Sequence, residues 1–191
     1  KDLLAISDLA PKDIENILTR AALLKKMRKQ GKARHTLKGK SLGMIFEKSS
    51  TRTRVSFEAG MFQLGGQALF LSSEDLQIGR GEPIADTART LSRYLDGIMI
   101  RTFAQETIEE LARFASIPVI NGLTDFHHPC QALADLFTVR EKRKKLKGLT
   151  FAYIGDGNNV ANSLLQACVL MGAHFSIACP QGYEINNDIL I

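Results

Sequence analysis

Short apolar runs alternate with stretches of helical spacing along this chain, and few folds accept that order. Ile14, Ile17, Leu18, Ala21 and Leu24 recur at the helical period, with Pro11 suited to the opening turn and Gly31 to the end. Leu42–Phe46 reads as a buried strand, followed by a polar loop and a helix through Val55, Met61 and Phe62. Gln67–Leu71 reads as a second strand, Gly97–Ile100 as a third and Ile117–Ile120 as a fourth. A long loop, Ser72–Glu82, follows the second strand. Pro83 then opens a helix with Ile84, Ala88, Leu91 and Leu95 on one face, and Ile108, Leu111, Ala112 and Ala115 mark another. A further helix runs from about Gln131 through Leu136 towards Lys144. Strands joined by helices pair in parallel, because a parallel crossover needs a long connection. The expected fold class is α/β: a parallel sheet with helices on both faces and right-handed connections, over residues 1–140.

A second unit is expected over residues 147–191. Leu149–Ile154 reads as a strand, Gly155–Asn159 as a turn, Asn159–Met171 as a helix and His174–Cys179 as a strand. One βαβ unit of about 45 residues is too small to bury a doubly wound core, so this second α/β domain is expected to be incomplete.

Composition narrows the setting. No run of about 18 apolar residues exists, so no membrane span is expected, and Lys1–Ala10 lacks the apolar core of a secretion signal. The three cysteines, Cys130, Cys168 and Cys179, suggest no disulfide framework and a reducing, cytoplasmic location. The net charge of +5 comes largely from two runs, 25–34 and 140–147. Cations suit helix C-termini, and neither run stands beside a zinc finger, a basic zipper or an aromatic RNA-binding signature. Solvated helix ends are therefore the expected reading, not nucleic-acid binding.

In open parallel sheets, ligands bind beyond the carboxyl ends of the strands. The residues that follow each strand are Glu47–Arg54, the loop with Gln77, Arg101, and finally Asn121 and His127–Gln131. This rim is rich in hydroxyls, guanidiniums, amides and imidazoles. Ser50-Thr51-Arg52-Thr53 stands where a helix begins. Such a turn exposes free N–H groups at a positive dipole end, and Arg52 adds a planar fork suited to phosphate. Alone, the same residues read equally as an ordinary helix cap.

Phe46-Glu47-Lys48-Ser49-Ser50-Thr51-Arg52-Thr53-Arg54-Val55-Ser56-Phe57-Glu58 resembles the signature of the aspartate and ornithine carbamoyltransferases, and His128-Pro129-Cys130-Gln131 resembles their second signature. The resemblance covers essentially the whole chain. Gln77-Ile78-Gly79-Arg80-Gly81-Glu82 and Gly155-Asp156-Gly157-Asn158-Asn159 are similar to the ornithine branch. The resemblance implies that carbamoyl phosphate and L-ornithine are the substrates and that citrulline and phosphate are the products, in arginine metabolism. It implies that Ser50, Thr51, Arg52 and Thr53 hold the phosphate. Arg101, His128 and the Thr53 hydroxyl would be the catalytic donors to the carbamoyl oxygen. Gln131 would read the carbamoyl NH2, Gln77 would reach into a neighbouring subunit's site, and Asn159 would touch ornithine. It further implies a homotrimer, or an assembly of trimers, and no metal or organic cofactor.

Other readings compete. His127, His128 and Cys130 could be metal ligands, but they crowd into four residues with no second cluster, unlike the separated pairs of tetrahedral zinc sites. Gly155–Val160 half-matches a dinucleotide fingerprint, with Val160 in place of the third glycine; a tight strand-to-helix turn is the simpler account. Cys130 could be a catalytic thiol if its neighbours lowered its pKa. Putrescine, acetylornithine or aspartate could be the acceptor. The family's later motifs for the amino-acid substrate are absent from these residues, so a chain of this length alone is expected to bind the anion without turnover.

Overall fold

The computed structural model describes residues 2–190, so Lys1 and Ile191, at the outer ends of the two expected units, lie outside the description. A four-stranded parallel sheet forms the first unit. Its strands are β1 (Ser41–Phe46), β2 (Gln67–Ser72), β3 (Gly97–Arg101) and β4 (Val119–Leu123), in the order β2-β1-β3-β4. Helix α1 (Pro11–Lys29) precedes the sheet. The connections are α2 (Thr51–Gln63), α3 (Ile84–Leu91) and α4 (Gln105–Phe114), and α5 (Pro129–Arg143) follows β4. The second unit pairs β5 (Thr150–Ile154) with β6 (His174–Ala178) in parallel through α6 (Asn159–Leu170), and a short α7 (Asn187–Leu190) follows.

This strand order explains why both faces are covered. The chain leaves β1 in one direction, through α2 to β2, and leaves β3 in the other, through α4 to β4. Right-handed crossovers in opposite directions place their helices on opposite faces. One face packs Leu42, Met44 and Met99 against Met61 of α2; the other packs Ile45, Ile98 and Ile100 against Ala88 of α3 and Ile108 and Leu111 of α4. The reversal falls between β1 and β3. Their carboxyl ends therefore open onto the crevice where open α/β sheets take ligands.

A third cluster joins the two units. Ile14 and Leu18 of α1 pack with Leu133 and Leu136 of α5 and with Ala167 of α6. The two basic runs meet here: Lys25 pairs with Glu141 at 2.6 Å and Arg140 with Glu15 at 3.1 Å. The run at 140–147 also ends a helix, with Lys144 at φ 67 in the left-handed region. Among the described residues, no helix is long and apolar enough to cross a membrane.

Several boundaries differ from the expectation. The loop after β2 contains a 3-10 turn, Gln77–Arg80. Helix α3 stops at Leu91, and Leu95 reaches the core through the following turn. Strand β4 lies later than expected, over Val119–Leu123, because its interior is polar. Asn121, expected beyond the strand, is inside it and fully buried, where its amide donates to the Leu4 carbonyl at 2.8 Å. Helix α5 begins at Pro129 instead of near Gln131. On α2 the apolar face is Phe57 and Met61, while Val55 and Phe62 point outward, Phe62 being 81% exposed.

Candidate functional site

The first wall is the start of α2. Ser50 caps it: the hydroxyl accepts the Thr53 amide at 3.2 Å, and the Ser50 carbonyl accepts the Arg54 amide at 3.2 Å. The Ser50 hydroxyl in turn donates to Thr53 Oγ1 at 3.0 Å. That leaves the Thr53 hydroxyl proton available to a ligand. Thr51 and Arg52 are exposed on the same turn, and helix geometry gives their amides no carbonyl one turn back. The capping serine thus satisfies the helix while its open end keeps donors and a positive dipole.

The second wall is the end of β3. The Arg101 carbonyl accepts the amides of Glu47 and Lys48 at 2.9 and 3.4 Å, tying the loop after β1 to the strand that supplies the Arg101 guanidinium. A bulge sits beside it: Ile100 faces Asn121 but Arg101 faces Leu123, so Gly122 is an extra residue. A Cβ at Gly122 would stand 2.5 Å from Met99 Sδ and 3.1 Å from the Ile100 carbonyl oxygen, so a side chain there would have to displace Met99 and crowd the strand. Lys48 lies over the Phe103 ring at 4.3 Å and pairs with Asp125, which links this loop to the one after β4.

The third wall is the turn into α5. His128 stands at the N-cap and its side chain caps nothing. Its backbone is held from the second unit, where Ser163 Oγ accepts the His128 amide at 2.8 Å. Asn162 Nδ2 donates to the Phe126 carbonyl at 3.1 Å, and Asn159 Nδ2 donates to the Thr124 carbonyl. Three polar residues on the first turns of α6 therefore fix the loop that carries the imidazole.

Electrostatics unites the three walls. Burial, and then the Arg52 charge, pull the Arg101 pKa below the usual arginine value. Burial, and then the Arg101 charge, lower His128 from 6.5 to about 4. Arg101 is thus close enough to feel Arg52 on one side and to repel a charged His128 on the other. Arg101 Nε and His128 Nδ1 are buried with no hydrogen-bond partner among the described residues. Unpaired buried donors beside like charges are costly unless an anion fills the space between them. Gln131 follows on the first turn of α5, exposed, with Nε2 donating to Asp135 Oδ1 at 3.0 Å. Gln77 stands apart, exposed on the 3-10 turn beyond edge strand β2.

The competing sites fare differently. His127, His128 and Cys130 diverge: His127 packs edge-on against Phe126 at 4.8 Å, and Cys130 Sγ donates to the Asn121 carbonyl at 3.4 Å. Among the described residues, no three His, Cys, Asp or Glu side chains gather as a ligand set. Burial pushes the Cys130 thiol up to about 11, opposite to what a nucleophile needs. In the glycine-rich turn after β5, Asn158 Oδ1 already accepts the amides of Val160 and Ala161, at 2.9 and 3.2 Å. A Cβ at Gly157 would stand 2.4 Å from the Glu184 backbone, so this glycine serves close packing of the chain on itself. The Val160 and Ala161 amides are therefore already taken, and Gly157 is explained by packing.

Sequence reasoning missed Lys48, Asp125, Asn162, Ser163 and Asp135. Only the four-residue spacing of Gln131 and Asp135 on a helix was a usable signal.

Fold and site together define an α/β protein whose switch-point crevice gathers Ser50–Thr53, Arg101 and His128 at the strand ends. Residues 1–141 match the family described as "Aspartate/ornithine carbamoyltransferase, carbamoyl-P binding domain" and residues 147–191 match "Aspartate/ornithine carbamoyltransferase, Asp/Orn binding domain". The chain belongs to the aspartate/ornithine carbamoyltransferase family. It is 63% identical over 188 residues to the ornithine carbamoyltransferase of Bacillus subtilis, covering 98% of this chain and 58% of that protein. The structure of ornithine carbamoyltransferase from Pyrococcus furiosus superposes with a TM-score of 0.97 at 52% identity, over 100% of this chain and 61% of that one. Aspartate transcarbamoylase from Trypanosoma cruzi, in complex with carbamoyl phosphate and aspartate, superposes with a TM-score of 0.89 at 31% identity, over 100% of this chain and 61% of that one. The chain thus spans about three fifths of the length of these relatives.

Proposed function

We propose that residues 1–140 are the carbamoyl-phosphate-binding domain, and residues 147–191 the beginning of the ornithine-binding domain, of an ornithine carbamoyltransferase. The reaction is transfer of the carbamoyl group of carbamoyl phosphate to the δ-amine of L-ornithine, giving citrulline and phosphate. The observation that carries this reading is that Arg101 Nε, which feels the Arg52 charge, and His128 Nδ1, which feels the Arg101 charge, are buried without a partner among the described residues. The higher identity to the ornithine enzymes than to the aspartate enzyme favours ornithine as acceptor.

The family resemblance supplies the roles, and the positions of the side chains support them. Ser50, Thr51, Arg52 and Thr53 hold the phosphate through amides, hydroxyls and a guanidinium. The neutral δ-amine attacks the carbonyl carbon. Negative charge grows on the carbonyl oxygen, where Arg101, neutral His128 and the Thr53 hydroxyl donate; one such donor is worth roughly 3–4 kcal/mol. The carbon–oxygen bond to phosphate then breaks, the departing phosphate has its charge already held, and it takes up the proton that the attacking nitrogen sheds. Gln131 accepts from the carbamoyl NH2. Asn159 keeps its Oδ1 for the amino-acid substrate while its Nδ2 holds Thr124. Gln77, exposed at the sheet edge, serves a neighbouring subunit's site in a homotrimer. Arginine metabolism in the cytoplasm is the setting this reading assigns.

Titration of inorganic phosphate into the chain and its Arg52→Ala variant tests the site. A charge-assisted hydrogen bond contributes about 1.5–3 kcal/mol, so affinity should fall at least about tenfold. Unchanged affinity overturns the placement. Product assays in protein of the relatives' full length, with ornithine, aspartate and putrescine, test the acceptor; carbamoylation of aspartate in preference to ornithine rejects it.

A further inference from the structure

The amide of Gln131 is nearly symmetric in shape and opposite in hydrogen bonding at its two ends. Left free, it would offer a ligand either its NH2 or its carbonyl oxygen. In this chain the choice is made one helical turn away, where Asp135 Oδ1 accepts from Gln131 Nε2 at 3.0 Å. A carboxylate can only accept. The flipped amide would set the Gln131 oxygen against the Asp135 oxygens, two acceptors with no proton between them. Gln131 is exposed, but Asp135 is half-buried, with its pKa raised by burial and lowered by the Gln131 hydrogen bond, so the acceptor end of the pair is held in place on the helix.

We propose that Asp135 is a positioning residue that commits Gln131 to present its Oε1 to the ligand, and so makes the site select an NH2 group over a methyl group of the same size. The inference rests on the carbamoyl phosphate reading and adds to it a residue that touches no substrate. It assigns the discrimination between a carbamoyl and an acetyl group to the Gln131–Asp135 pair on α5 rather than to the phosphate loop.

Three stable probes separate these ideas in the 191-residue chain. Inorganic phosphate reports the anion site alone. Phosphonoacetamide carries the NH2 group, and acetonylphosphonate carries a methyl group in its place. The intact chain should bind phosphonoacetamide more tightly than acetonylphosphonate. Asp135→Ala should weaken phosphonoacetamide about fivefold, the scale of freezing one long side chain on binding, and leave phosphate and acetonylphosphonate unchanged. Alanine suits a helix interior, and unchanged phosphate affinity certifies the fold of the site. If Asp135→Ala leaves the amide-to-methyl preference intact, or weakens all three probes equally, the positioning role is wrong while the carbamoyl phosphate site stands. If the intact chain binds none of the three, the site reading and the inference fall together.

Discussion

His128→Gln removes one titrating group from the centre of the site, and its effect can be worked out from the structure. Burial and the Arg101 charge hold the His128 pKa at about 4 in the folded chain, against about 6.5 when unfolded. Between those values the unfolded state binds more protons, so stability rises with pH there and is lost as the pH falls. At pH 5 the unfolded imidazole is about 97% protonated and the folded one about a tenth, a difference worth about 2 kcal/mol relative to pH 8. The wild-type chain should therefore lose about 2 kcal/mol more than His128→Gln between pH 8 and pH 5. His127, also lowered by burial, and Asp135, raised by it, are present in both proteins and cancel. Urea unfolding at the two pH values measures the difference, and an NMR titration of the imidazole measures the pKa itself. Added phosphate should raise that pKa, because an anion offsets the Arg101 charge. Equal losses in the two proteins, or an imidazole titrating near 6.5, would refute the burial and charge argument.

Three further outcomes are expected. Ser163→Ala leaves the buried His128 amide without its acceptor and should cost about 1–3 kcal/mol in denaturant unfolding, while Ser163→Thr, which keeps the hydroxyl, should cost less. Gly157→Ala drives a methyl group into the Glu184 backbone and should lower stability by about 1–3 kcal/mol, read by thermal unfolding. Cys130, held at about 11, should resist iodoacetamide at pH 8, and mass spectrometry of the alkylated native chain should find it unmodified.

The order of strands and helices was legible because buried runs such as Leu42–Phe46 and periodic stretches such as Ile14–Leu24 state their own type. Which way a helix faces was not. Val55 and Phe62 share a stripe seven residues apart, as good a pattern as Phe57 and Met61, and only the sheet decides between them. Strand β4 was misplaced because Asn121 and Gly122 read as a loop. One satisfies a carbonyl of the N-terminal segment and the other makes a bulge, and both are long-range facts. At the site, residues at strand ends could be read from order alone. The partners of the 124–128 loop could not: Ser163 lies 35 residues from His128 and Asn162 lies 36 from Phe126.

Those hydrogen bonds also set how the molecule can flex. The two units are joined covalently near Leu146, but Asn159, Asn162 and Ser163 bind them a second time, at the loop bearing His128. A rotation of the second unit about its covalent joint is therefore a lever acting on the imidazole. Any angle it turns through must either break that row of bonds or carry His128 with it relative to Arg101. The distance between His128 and Arg101 is then a gauge of the angle between the units.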